Sequence, residues 1–397
     1  MPTARLIRFT SARKMNRPRH EVADIIQSFG ESFIDKHQPN SYQLRVLNAL
    51  ALCRTSALGG HRYQCDYCGN VQIGYNSCRN RHCPKCQGSN QALWVEDRIR
   101  QAYAVQHYHL VFTVPDSLNN ICMIDSQWFY NNLFDCVWQT LRTFGYTQYG
   151  VETGAVCVLH TWGQNLSLHP HIHCLVPAMG YSLNGMLKPV AKSGRYLFCV
   201  QKLSSSFKGR IMGAVKTRLK QIDSYSQHKA SIEKAFSTDW VVYSEPCFGK
   251  AENVIRYLGQ YTHRVAISNQ RILSVNEHDV TFNMKDYADN CKTKPITLTG
   301  EEFLRRFCLH ILPKGFVRIR HYGIYSSRFR STVINNKDKM IIKVKESTAE
   351  RLVRLTGFDV FVCNKCNKGR MLVIENLPRI RSPDLIQKAI EIRHKND

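Results

Sequence analysis

Apolar residues recur three and four positions apart through Val22, Ile25, Ile26, Phe29 and Phe33, and again through Leu44, Leu47, Leu50 and Ala51. That period predicts two amphipathic helices, over 21–37 and 42–53. A third helix is expected over 89–104. The period then shortens to two: β-branched and aromatic residues fill 107–114 and stop at Pro115, which reads as a strand. Beyond it come helix 125–145, strand 154–162, strand 171–177, helix 204–223, strand 239–244 and helix 250–264. Strands that alternate with helices but include one adjacent pair point to an α+β fold of the split βαβ kind, with a mostly antiparallel sheet. The Lys/Ser-rich stretch 194–227 is expected as an exposed insertion or an outer-face helix. After Val265 the pattern turns to hairpins, with strands at 271–275 and 280–284 about a turn at 276–279, then a short helix over 301–310.

Strand 171–177 carries the first candidate chemistry. In extended chain His171 and His173 point to one face and Ile172 to the other, so two imidazoles converge on one point, which is half of a metal site. The apolar run Cys174-Leu175-Val176 continues the strand and gives the pair a rigid base. His107 and His109 repeat the His-x-His pattern at the entry of an earlier strand, where they read as ordinary polar residues. In helix 250–264, Tyr257 and Tyr261 lie four residues apart on one face, with Val254 and Leu258 on the buried side. Such a pair is ordinarily a packing stripe; beside a two-histidine metal site in a basic protein it becomes a pair of nucleophiles. A free phenol, with a pKa of ~10, is about one part in a thousand ionised at neutral pH, and a metal helps by favouring phenolate or polarising a phosphate. Attack on a DNA phosphate would store the bond energy as an ester, and the chain has no Gly-x4-Gly-Lys-Ser/Thr phosphate loop for ATP.

Charge supports a nucleic-acid partner. Lys and Arg number 55 against 30 Asp and Glu, a formal charge of +25 over 397 residues, with 43% hydrophobic residues to build cores. No apolar run approaches the ~18 residues of a spanning helix, and residues 1–20 are a basic arm with no signal-peptide core. The expectation is a cytoplasmic, nucleoid-associated protein with no membrane partner.

Sixteen cysteines without a secretion signal point to reduced thiols and metal ligands. Cys65-x2-Cys68, fourteen residues and Cys83-x2-Cys86 form two knuckles that can present four thiolates to one structural Zn²⁺, with Cys78 or His82 able to replace one of them. A third knuckle, Cys363-x2-Cys366, would need partners from Cys291, Cys308 or His310. Over 316–322 the chain alternates, so that Phe316, Arg318, Arg320 and Tyr322 share one face while Val317 and Ile319 face inward. Interleaved aromatic and guanidinium groups make a platform for single-stranded DNA.

The stretches Ser77-Cys-Arg-Asn-Arg-His-Cys-Pro-Lys-Cys86, Thr161-Trp-Gly-Gln-Asn-Leu-Ser-Leu-His-Pro-His-Ile-His173, 257–269 and 312–323 together resemble the HUH endonucleases, and within them the two-tyrosine transposases of rolling-circle insertion sequences. The resemblance implies cleavage and joining of single-stranded DNA through a 5′-phosphotyrosine, with Tyr257 and Tyr261 as nucleophiles, His171 and His173 as ligands of Mg²⁺ or Mn²⁺, and Arg264 with Arg318, Arg320 and Tyr322 as DNA contacts. It leaves the third metal ligand open among His169, Gln164, His160 and Gln260, in the order His169 and then Gln164. Its expected partners are element ends, a target strand and a host helicase. The expected domains are a helical zinc-binding module over 1–106, a nuclease and strand-transfer domain over 107–270, and a basic DNA-binding region with its tail over 271–397. A plasmid replication initiator or relaxase of the same superfamily is the alternative enzyme, and a zinc-containing DNA-binding regulator the alternative without catalysis.

Overall fold

The computed structural model describes residues 18–101, 103, 105–190, 197–247, 259, 265–287, 289–327, 346–357 and 359–379. The chain opens with α1 (Val22–His37) and α2 (Ser41–Ala51). The backbone N–H of Glu21 donates to Asp24 (2.8 Å), and Asn40 Oδ1 accepts from the N–H groups of Tyr42 and Gln43, which satisfies donors that a helix start leaves orphaned. A hairpin of β1 (Gly60–Cys65) and β2 (Val71–Tyr75) follows, then α3 (Gln87–Gln101), β3 (His107–Thr113), α4 (Asn119–Ile124) and α5 (Ser126–Tyr149). Next come β4 (Val151–Glu152), β5 (Gly154–Trp162), β6 (Leu168–Pro177), β7 (Met179–Ser182), β8 (Leu187–Pro189), α6 (Val200–Gln221), α7 (Lys229–Ser237) and β9 (Val242–Pro246). The described C-terminal part holds β10 (Ile272–Val275), β11 (Asp279–Asp286), β12 (Lys292–Thr299), α8 (Gly300–Cys308), β13 (Ile319–Gly323), α9 (Thr348–Thr356) and β14 (Met371–Leu377). Among the described residues no helix is long and apolar enough to cross a membrane.

The main sheet runs β13-β5-β6-β3-β9 with every neighbouring pair antiparallel. Leaving out β13, the chain passes β3, α5, β5, β6, α6, β9, which is the split βαβ order expected from the sequence. Strand alternation divides the sheet into two faces. Leu110, Phe112, Cys157, Leu159, Ile172 and Cys174 point to one, where they pack with Phe129, Leu133, Val137, Phe207, Ile211 and Val215 of α5 and α6 in the largest core. Thus α6 is a core helix and not an exposed insertion: its polar Lys and Ser positions hide a buried stripe of Leu203, Phe207, Ile211, Val215 and Leu219. The other face carries the histidines and is covered in part by α3, whose Trp94, Val95 and Ile99 pack on Val156 and Leu175.

The boundary expected at 270/271 is not a packing boundary. Residues of β10, β11 and α8 share one core with α1 and α2, joining Phe282, Phe303 and Phe307 to Ile25, Phe29 and Leu47. At Gly300 a Cβ would fall 2.1 Å from the Phe29 ring, so the start of α8 packs directly on that ring. β13 adds to the edge of the main sheet and β14 pairs with β1. The segment after 270 is therefore distributed over the other units, because each of its amphipathic elements buries its apolar side against an earlier one. The expected hairpin also gains a third strand, β12, whose Pro295 is tolerated because β12 is an edge.

Candidate functional site

Within the β5–β6 hairpin, His160 lies directly across from His171, and Val158 across from His173. That register puts three imidazoles on the same face, with donor nitrogens within 4.8 Å of one another. Ring centroids are 4.6 Å apart for His160 and His173, 4.9 Å for His171 and His173, and 5.3 Å for His160 and His171. Trp162 stacks on His160 at 4.6 Å.

Hydrogen bonds select the atoms left for a ligand. His171 Nδ1 is 2.7 Å from the carbonyl oxygen of His169, an atom that only accepts; Nδ1 therefore carries the proton and Nε2 keeps its lone pair. Burial pulls the pKa of His171 down to about 4, so the ring is neutral at pH 7. His173 Nδ1 is 3.0 Å from His109 Nε2, which occupies that nitrogen and leaves its Nε2 on the side of the cluster. A set of neutral imidazoles on a rigid antiparallel sheet fits a divalent metal.

His160, and neither His169 nor Gln164, completes this group. His169 is one alternation further along β6, exposed, with its ring 5.2 Å from that of His171. Gln164 sits in the β5–β6 connection, donating to the Tyr287 hydroxyl at 3.2 Å while its carbonyl accepts from Arg271. The reason is register: His160 on the partner strand closes on both His171 and His173, whereas His169 lies beyond His171, on the side away from His173. His109 carries more weight than its place at a strand entry suggested, being buried against His173. His107 is held by Tyr325 (2.6 Å) and by the Val105 carbonyl (2.8 Å).

Tyr257, Tyr261, Gln260 and Arg264 lie outside the described residues. Gly259, midway between the two tyrosines in sequence, is described: it is helical and buried, and a Cβ there would come within 2.1 Å of Val95 Cγ2. Val95 belongs to the part of α3 that covers the histidine face of the sheet.

The expected DNA platform is not an open face. Phe316 is buried, and Val317, expected inside, is 59% exposed. Arg320 lies over the rings of Phe134 (4.3 Å) and Phe316 (5.4 Å) and donates to Asn131 Oδ1, while Tyr322 stacks on Trp138 at 5.0 Å. Both therefore belong to the packing against α5. Arg318 lines a small cavity with His82, Trp162 and His310, and burial, followed by repulsion from Arg81, lowers its guanidinium pKa to about 10. The side shared by Phe316, Arg320 and Tyr322 is closed because β13 joins the sheet edge with it against α5, and Val317 is turned out because 313–316 form a turn, with the Phe316 N–H donating to the Pro313 carbonyl, and the strand begins only at Ile319.

The two N-terminal cysteine knuckles do not come together. Cys83 and Cys86 join Cys78 and Cys53, with sulfurs 3.6 Å apart for Cys53 and Cys86 and 3.7 Å for Cys78 and Cys86. Hydrogen bonds from Cys78 and then Cys83 hold the Cys53 thiol far below its usual range, while the bonds to Cys53 push the Cys78 and Cys83 thiols up. His82 stays outside this group, buried, its pKa drawn down to about 3 by burial and by the charges of Arg81, Arg318 and His310. Cys53 ends the apolar stretch of α2, and no knuckle spacing marks it. Cys65 and Cys68 lie elsewhere, beside Cys363 and Cys366.

Comparison with known proteins gives two matching families: one described as "Putative transposase", over residues 154–332, and one described as "Transposase zinc-binding domain", over residues 25–114. The chain is 38% identical over 395 residues to "Putative transposase y4qJ" of Sinorhizobium fredii (strain NBRC 101917 / NGR234), covering 93% of this chain and 98% of that protein. It is 26% identical over 300 residues to "Transposase for insertion sequence element IS801" of Pseudomonas savastanoi pv. phaseolicola, covering 72% of this chain and 71% of that protein. No solved structure matches.

Proposed function

Because this chain belongs to the insertion-sequence transposases of the IS91/IS801 type, we propose that it cuts and rejoins single-stranded DNA through a 5′-phosphotyrosine, with Tyr257 and Tyr261 as nucleophiles. His160, His171 and His173 would hold the divalent metal. The observation that carries this reading is the convergence of those three imidazoles on the face of the sheet that α3 covers. The burial of Gly259 against Val95 supports it, since Gly259 is flanked two residues away on each side by the tyrosines.

A metal bound there supplies electrophilic activation of the scissile phosphate. The rest falls to the chain. The His169 carbonyl and His109 orient two of the imidazoles, and the main core behind Ile172 and Cys174 keeps the strand from shifting. A tyrosyl oxygen attacks phosphorus, the P–O3′ bond breaks, and the departing 3′ oxygen takes up a proton in place of the one lost by the phenol. The ester retains the energy needed for rejoining. A second tyrosine four residues away allows a second strand to be cut while the first ester persists. Element ends are the natural substrate class, as the Pseudomonas savastanoi relative is named for an insertion sequence element. Mg²⁺ and Mn²⁺ both favour oxygen ligands, so beside three imidazoles either ion would take the remaining positions from water and the DNA phosphate.

The test is incubation of the protein with Mn²⁺ and a labelled single-stranded oligonucleotide bearing an element end. A covalent adduct is expected with the natural chain and with His169→Ala, a much weaker one with His160→Ala, and none with Tyr257→Phe, Tyr261→Phe. An adduct from the double tyrosine variant would reject the assignment of the nucleophiles.

A further inference from the structure

The knuckles Cys65-x2-Cys68 and Cys363-x2-Cys366 stand 295 positions apart from Cys68 to Cys363, yet their sulfurs meet. They do so because β14 pairs antiparallel with β1, setting Met371 opposite Cys65 and Leu377 opposite Gly60. The two knuckles have similar backbone forms, the second closed one residue wider. Cys65 N–H donates to the Asn70 carbonyl (2.9 Å) and Gly69 N–H to the Cys65 carbonyl (3.1 Å); Cys363 N–H donates to the Gly369 carbonyl (2.9 Å) and Asn367 N–H to the Cys363 carbonyl (2.9 Å). Gly69 and Asn367 are both left-handed, at φ 69° and 54°. In each, one backbone N–H also points at a sulfur: Cys68 N–H to Cys65 Sγ at 3.5 Å, and Gly369 N–H to Cys366 Sγ at 3.4 Å.

The sulfur geometry separates the possible bonds. Cys65 and Cys366 are 3.7 Å apart, as are Cys68 and Cys363, and all four sulfurs lie within 4.8 Å of one another. A tetrahedron with Zn–S bonds of about 2.3 Å sets its sulfurs about 3.8 Å apart. A disulfide requires about 2.0 Å.

Little else holds this unit together. Its buried cluster is Cys65, Cys363 and Met371, while Val71, Ile73, Leu372, Val373 and Ile374 are 44% to 54% exposed. A three-stranded sheet with so little buried apolar surface needs a staple. Beside a first Zn²⁺ that Cys53, Cys78, Cys83 and Cys86 would hold, we propose that Cys65, Cys68, Cys363 and Cys366 bind a second, which clasps the C-terminal strand to the N-terminal hairpin. Binding releases four thiol protons to solvent as the four thiolates ligate. This site stands apart from the Cys53, Cys78, Cys83 and Cys86 group, and it does not depend on the phosphotyrosine reading. It also braces the covering helix α3, because the clasped segment carries α9, whose Arg351 pairs with Glu96 and Asp97 and whose Arg354 pairs with Glu96 at 2.8 Å. Gly369 lies against the N-terminal knuckle: a Cβ there would meet Cys65 Sγ at 2.4 Å and Tyr67 Cβ at 2.6 Å.

Metal analysis of the freshly purified full chain tests this. Two Zn²⁺ per chain are expected, falling to one in Cys363→Ser, Cys366→Ser and staying at two in Cys366→His, which keeps a ligand. Cobalt titration of the metal-stripped natural chain, which needs no variant to fold, should build thiolate-to-metal absorption through two equivalents. Gly369→Val should weaken the second equivalent without removing a sulfur. One Zn²⁺ per natural chain, saturation at one cobalt, or an unchanged count in the double serine variant would overturn the proposal. So would a disulfide joining Cys65 or Cys68 to Cys363 or Cys366 in peptide maps of the metal-stripped, unreduced chain.

Discussion

The imidazoles of His109 and His173 meet edge to edge, their planes 5° from parallel and their centroids 5.2 Å apart, with His109 Nε2 3.0 Å from His173 Nδ1. Bonded there, His173 can offer only Nε2 to a metal, and the ring cannot rotate away without breaking the bond. His109→Leu is expected to weaken the apparent Mn²⁺ affinity of adduct formation by roughly 10- to 100-fold, as loss of a partner to a ligating histidine generally does. His109→Gln, which keeps a polar partner, should recover part of this. Mn²⁺ titration of the cleavage assay reads the effect, and an unchanged midpoint in His109→Leu would reduce the contact to packing.

Two buried histidines away from the metal groups set an acid limit on stability. Burial lowers the pKa of His107 and of His310 to about 4 from 6.5. Between those values the unfolded chain binds the extra protons, so stability is complete above about pH 6.5 and falls as pH drops towards 4. The full loss is roughly 3 kcal/mol for each group. Urea midpoints measured from pH 7.5 to 4.5 should fall along this window. His310→Gln should flatten the profile, and an unchanged slope in that variant would show that His310 does not contribute.

Gly259 leaves no room for a side chain next to Val95. Alanine in a helix is ordinarily favoured over glycine by about 1 kcal/mol, so a loss of function on Gly259→Ala would have to come from the contact. The variant is expected to form at least tenfold less adduct, and Val95→Ala in the same chain should restore much of it. Failure of the second change to restore activity would separate the helix from α3.

Arg320 sits over Phe134 and Phe316. Arg320→Ala should therefore cost about 1–2 kcal/mol of stability through lost packing and cation–π attraction. It should leave the salt dependence of single-strand binding unchanged. A log–log slope reduced by roughly 0.7 would instead mean that the guanidinium reaches a phosphate.

Periodicity alone determined a good deal of this protein. The stripes of α1 and α2, the strands β3, β5 and β6, and the placing of His171 and His173 on one face with Ile172 on the other all follow from spacings of 3.6 and 2. The four stretches that resemble a transposase family were legible for the same reason: they are contiguous. What the sequence left open were pairings between distant segments. His160 became the third imidazole because the hairpin register sets it across from His171; a shift of one residue would have put Leu159 or Thr161 there and turned His160 to the opposite face. Cys53 joined Cys78, Cys83 and Cys86, and the two outer knuckles found each other, because α2 and β14 return to the same module. Arg320 and Tyr322 turned from a DNA platform into packing because β13 joined the edge of the main sheet with that side against α5. Spacing along the chain reports which side chains share a face, but which face another segment covers is decided only when the apolar surfaces of the whole chain are buried together.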